Sequence, residues 1–216
     1  MKTRFPNYIP SSALQETPLS HAWDDWDPYP LIGKSNKDTE QLLSHLSNYG
    51  KFIFSLGCAE WVVARFHKYL ENKLPWQYID ACWAFELTSD FMLPIELDDR
   101  EWEGPILGPI CLSLTTVVNT RYGFDEDNAE IDSAFAEKVA LHVIPDNRLF
   151  IAWRNFILER MATICLMDNE NPDGKRLPRE VLDPSSNIDL KQSPLLLLKA
   201  KKDLDIEKNP YVNAFE

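Results

Sequence analysis

"RLFIAWRNFILERMATIC", Arg148 to Cys165, is the stretch whose reading decides the fold. Leu149, Ala152, Trp153, Phe156, Ile157, Met161, Ile164 and Cys165 recur at steps of three, one and four, the period of a helix with one apolar face. Asp146 or Asn147 stands before it as a cap.

The same period returns on moving outward along the chain. Ile131, Phe135, Val139 and Val143 make an inward stripe behind Asp127-Asn128-Ala129-Glu130, which has the form of a capping box, and Pro145 closes that helix. Before it lies "ICLSLTTVVNTRY", almost wholly apolar or small. Its β-branched run is compatible with a strand, but a length of about 13 residues favours a helix that starts at Pro109 and ends at Gly123. Pro75 opens "WQYIDACWAFEL", apolar nearly all round and therefore expected at the centre. In "AEWVVARFHKYLENK", Val62, Val63, Phe66, Tyr69 and Leu70 form one face, with Glu60, His67, Lys68 and Glu71 on the other. Leu42, Leu46, Tyr49, Ile53 and Leu56 predict an earlier helix, starting at a capping box over Asp38–Gln41 and stopping near Gly57.

Paired helices with short links predict an all-α, single-domain helical bundle or short stack of helical hairpins, with about six or seven helices. An irregular, proline-rich arm covers residues 1–37, the helical core residues 38–167, and a C-terminal extension residues 168–216. The extension carries one short helix, from Ser193-Pro194 through "LLLLKAKK", packed on the same domain. No repeat of fixed period runs through the chain, which disfavours a solenoid.

A chain of 216 residues that is 44% hydrophobic and 12% aromatic can bury an ordinary core. Its 34 acidic against 22 basic residues give a formal charge of −12. That balance argues against direct nucleic acid binding and against docking on anionic lipid, both of which draw on lysine and arginine. It points to a basic protein partner. The N-terminus has no apolar stretch of signal-peptide length, and no run approaches the ~20 residues of a membrane helix, so a soluble, cytoplasmic protein is expected. Cys58, Cys82, Cys111 and Cys165 form no Cys-x-x-Cys pair and read as reduced core thiols.

Chemistry is sparsely signalled. No phosphate loop, His-Glu-x-x-His, nucleophile elbow or dinucleotide fingerprint is present. Asn169 to Glu180 fits the calcium-loop template at several positions, but Asn169 replaces the first aspartate, Pro178 stiffens the second half, and Lys175, Arg176 and Arg179 repel a cation. A turn is the better reading. Glu60, His67 and Glu71 are spaced to share a helix face and could serve a metal- or carboxylate-dependent enzyme, although a solvated face explains them as well. Glu86, in the most apolar helix, needs an arginine, backbone donors or a raised pKa. His142 lies beside the stripe of Phe135 and Val139 and reads as a hydrogen-bonded histidine at the edge of the core, while His21 and His45 have no telling neighbours. No catalytic residue, cofactor or metal ligand is assigned.

Charge distribution says more. Between Asp90 and Glu137 stand twelve acidic residues against Arg100 and Arg121, a local balance of −10 out of −12. The candidate partner-binding set is Asp98, Asp99, Glu101, Trp102 and Glu103 before the apolar helix, and Asp125, Glu126, Asp127, Glu130 and Asp132 after it, with Trp102 as an apolar anchor. "HAWDDWDPYP", His21 to Pro30, adds Trp23, Trp26 and Tyr29 between aspartates; the tryptophans are expected to anchor the arm while Asp24, Asp25 and Asp27 face water. The expectation is a non-catalytic acidic module that occludes a basic partner, in the manner of a bacterial immunity protein or antitoxin-type inhibitor of a toxin such as a nuclease. A helical enzyme and an acidic nucleic-acid mimic are the alternatives.

Overall fold

In a computed structural model, residues 5–14, 17–187, 195, 198–199, 204, 206 and 208–214 are described. Among them the chain is all-α: α1 Tyr29–Ile32, α2 Lys37–Ser44, α3 Asn48–Phe66, α4 Leu74–Leu87, α5 Gly104–Glu126, α6 Ala129–Val143 and α7 Arg148–Ile164. No helix among these residues is long and apolar enough to cross a membrane. Of the C-terminal helix expected from Ser193, Leu195, Leu198 and Lys199 are described and are helical; its other residues lie outside the described ones.

The bundle is organised around α3, in which every residue but Tyr49 is buried. Helices α5 and α6 form an antiparallel hairpin that packs on itself and on α3, while α4 and α7 cover other sides of α3. Gly57 lies in the middle of this helix, where it had been expected to end one. Its missing side chain is the reason: a Cβ there would come within 2.9 Å of the Trp153 ring and 3.0 Å of Leu182. The buried Lys51 of α3 is paired as burial demands. Lys51 Nζ reaches Glu130 at 3.4 Å, and Ser133 donates to the Lys51 carbonyl at 2.8 Å.

Several boundaries differ from expectation, each for a local reason. The stripe from Leu42 to Leu56 is two helices, because Ser47 caps α3 and the chain turns at His45–Leu46. Asn36 rather than Asp38 caps α2, accepting from the Asp38 amide at 2.9 Å. Helix α5 starts at Gly104, so Pro109 falls inside it. It also runs through Gly123 to Glu126, and Asp127 takes the left-handed turn at φ 59. Gly123 is the close-approach point of that hairpin, where a Cβ would sit 2.7 Å from the Ala129 Cα. The capping box at Asp127–Glu130 does not form: Asn128 precedes α6 without a side-chain cap, and Glu130 goes to Lys51. In α7 the apolar stripe is wider than the core it faces. Phe150, Trp153, Ile157, Leu158 and Met161 are buried, but Leu149, Ala152 and Phe156 are exposed.

A C-terminal strap closes one end of the bundle. The carbonyls of Cys165, Pro172 and Asp173 accept the Ser47, Asn48 and Tyr49 amides at the start of α3, at 2.7 to 3.0 Å. Farther along, the Arg160 guanidinium donates to the carbonyls of Val181, Asp183, Pro184 and Ser186.

Candidate partner-binding surface

The two acidic groups sit at opposite ends of α5. With one continuous helix between them, at 1.5 Å per residue, they stand about 33 Å apart along its axis. A Debye length of ~10 Å at moderate salt leaves them electrostatically independent. They do not form one patch.

The group after α5 is largely engaged within the fold. Asp125 pairs with Arg121 at 3.4 Å, Glu126 accepts from Asn128 at 3.1 Å, Asp127 forms the left-handed turn, and Glu130 serves the buried Lys51. Asp132 is part-buried, and desolvation followed by the nearby Glu126 raises its pKa.

The group before α5 is freer. Asp98 caps the 3-10 turn Asp99–Glu101 and holds Arg100 at 2.8 and 2.6 Å, which keeps its own pKa below the usual range. The ion pairs of the described residues leave Asp99, Glu101 and Glu103 unmatched, and all three are exposed. Trp102 is not an exposed anchor. It is 7% exposed and belongs to the core, because the polar residues of the turn take the solvent side and turn the indole inward.

The arm supplies what Trp102 does not. Asp25 Oδ1 accepts from the Gly104 amide at 2.7 Å, satisfying the first turn of α5, and from the Trp23 indole at 2.8 Å. Trp23 fills the space that a Cβ on Gly108 would need, so it is the anchor expected of it. Trp26 is not: at 95% exposed it stands on a turn closed by Asp24, which accepts from the Trp26 amide at 2.9 Å. Tyr29 stacks on Phe135 of α6 at 5.7 Å. Asp25 is thereby set beside Glu103, and a cavity of about 370 Å³ has Glu71 and Glu103 in its lining. Asp25, Glu71 and Glu103 thus fall on one edge of the bundle; the exposed Asp24, Trp26 and Asp27 adjoin Asp25 in the chain, and Asp99 and Glu101 lie in the turn before Glu103.

The other chemical candidates disperse. Glu60 is fully buried, accepting from the Trp83 indole at 2.7 Å and meeting Arg179; burial lifts its pKa to about 7 against the pull of that cation. His67 lies beyond the end of α3, edge-on to Phe5 at 4.4 Å, and Glu71 is exposed. The three do not share a face because the helix stops before His67. Glu86 is fully buried, accepts from the Leu177 amide at 3.1 Å, and has its pKa driven up by desolvation. In the segment 169–180, Asp173 accepts from Asn48 at 3.0 Å, while Arg176 lies over the Tyr49 and Phe85 rings. These two side chains are thus engaged by the body of the bundle, while Asn169, Glu170, Asn171 and Lys175 are exposed. Among the described residues no three His, Cys, Asp or Glu side chains converge as metal ligands would. All four cysteines are free and buried.

Comparison of the chain with protein-family models, curated proteins and solved structures finds no match.

Proposed function

We propose that the protein is a non-catalytic binding module that occludes a basic partner, as an immunity protein or antitoxin-type inhibitor occludes a toxin such as a nuclease. The observation that carries this reading is the contact of Asp25 with Gly104, which ties the arm bearing Asp24, the exposed Trp26 and Asp27 to the segment bearing Asp99, Glu101 and Glu103. Asp99, Glu101 and Glu103 with Asp24 and Asp27 steer the partner, and Trp26 offers a flat apolar face on which an arginine or lysine side chain stacks. Asp125, Glu126, Asp127, Glu130 and Asp132 serve the hairpin and stand outside this surface.

The test is capture of the partner from the native host, followed by association kinetics at two salt concentrations. Reversing Asp99, Glu101 and Glu103 to lysine lowers the association rate by at least about tenfold at low ionic strength, and the deficit shrinks as salt rises. An acidic partner, or equal association rates for both proteins at low salt, overturns the reading.

A further inference from the structure

Residues 17–27 cross the ends of α3, α5 and α6 with little apolar burial; of their side chains only Thr17, His21 and Trp23 are even partly covered. They are held by polar pins. Arg65 donates to the Thr17 and Pro18 carbonyls at 2.9 and 3.2 Å, Tyr69 to the Thr17 carbonyl at 2.8 Å, and His142 Nε2 meets the Ala22 carbonyl at 2.7 Å. His21 Nε2 meets the Pro105 carbonyl at 2.9 Å. That carbonyl is open for a reason: four residues on, where a helix would supply the N–H, stands Pro109. Segments fastened in this way open at low cost.

The pins share one sign of charge. The His21 and His142 rings are 5.7 Å apart. Arg65 is 5% exposed, lies over the Phe66 and Tyr69 rings, and among the described residues takes only carbonyls as partners: Thr17, Pro18 and, at 3.3 Å, Val143. Around the His21 ring are Phe66 from α3, the Pro105 carbonyl from α5 and His142 from α6, and the charged groups acting on it are His142 and Arg65. Protonating His21 puts a like charge beside a buried guanidinium.

We propose that residues 17–27 form an acid-released clasp: protonation of His21, set beside His142 and the buried Arg65, detaches the segment from α3, α5 and α6 and disperses the edge that carries Asp24, Trp26 and Asp27. Release follows from the burial of His21 and the like charges around it; only its effect on partner binding rests on the function proposed above. Burial lowers the pKa of the docked His21, the hydrogen bond to the Pro105 carbonyl works against it, and His142 and Arg65 add to the lowering; the net direction is down, so protons favour the released segment. Each unit of lowering weights that state by about tenfold.

The experiment follows two N–H groups that donate to Asp25, the Trp23 indole and the Gly104 amide, by 1H–15N spectroscopy of the intact chain. It runs from about pH 7.5 to about pH 5.5, a window that histidine titrates through and an ordinary carboxylate does not. Both resonances move together to the positions of solvent-exposed groups on acidification. In a protein carrying His21→Gln and His142→Gln, whose amides reach the same carbonyls without titrating, they stay in place; His45→Gln leaves the wild-type transition unchanged. Resonances that stay fixed in the wild type, or that move identically in the doubly substituted protein, overturn the proposal. If the double variant does not fold, His21→Gln alone decides: a smaller transition supports the clasp, and an unaltered one overturns it. No partner is needed, so this outcome is independent of the binding test.

Discussion

Arg179 and Glu60 meet across the join between the C-terminal strap and the central helix, an ion pair whose carboxylate is fully buried. The partial exposure of Arg179 and the single indole donor from Trp83 do not offset the cost of desolvating the carboxylate, so Glu60 keeps its proton to about pH 7.

Stability therefore depends on pH in a particular direction. The unfolded chain releases the Glu60 proton near the ordinary glutamate value of 4.5, the folded chain only near 7, so stability is greatest below that window and falls as pH rises through it. The fall is about 3 kcal/mol at 1.36 kcal/mol per pKa unit. Urea unfolding at the two ends of the window measures it, and Glu60→Gln flattens the difference. An equal slope in that variant refutes the assignment.

Gly57→Ala lowers unfolding stability by about 1–3 kcal/mol, since a methyl group there overlaps Trp153 and Leu182 and neither can retreat from a packed core. Thermal unfolding reads the loss. A neutral result means that α3 and α7 cross less closely than described.

The indoles separate cleanly. Trp26→Ala changes stability by less than about 0.5 kcal/mol, as an exposed position should, while weakening partner capture. Trp102→Ala costs about 3–5 kcal/mol through the cavity it leaves. Calorimetry on the two variants distinguishes them.

At the far end of α5, Asp125→Lys with Glu126→Lys leaves the partner's association rate within about twofold, because the site lies several Debye lengths away. Glu130→Lys instead destabilises the fold by about 2–4 kcal/mol, because Lys51 is buried and loses its carboxylate to a like charge. Stopped-flow association and urea melts report the two effects separately.

Periodicity made the all-α class and the bodies of α4, α6 and α7 legible, because burial on one side of a helix imposes it directly. Glycine and proline misled. Gly57 and Gly123 are present for close approach to Trp153 and Ala129, and Pro109 is tolerated inside α5, where His21 takes the carbonyl it leaves open. The exposure of Leu149 and Phe156 in α7 was hidden for a related reason: a stripe shows which residues are apolar and does not show how much neighbouring surface exists to cover them. Acidic composition pointed to both ends of α5, but which acids are taken up by Arg121, Asn128 and Lys51 is a matter of folded geometry. The link from Asp25 to Gly104 joins residues 79 apart in the chain, beyond any local pattern.

The all-round burial of α3 also governs the order in which the chain can assemble. Its covering helices α5, α6 and α7, and the strap with Arg179, all follow it in sequence. At a synthesis rate of roughly 5–20 residues per second, the last of them emerges on the order of 10 s after α3 itself. Throughout that interval the most completely buried helix of the protein is outside the ribosome without its full cover. The nascent chain thus has a vulnerable period set by its own topology, in which association with a holding chaperone competes directly with aggregation.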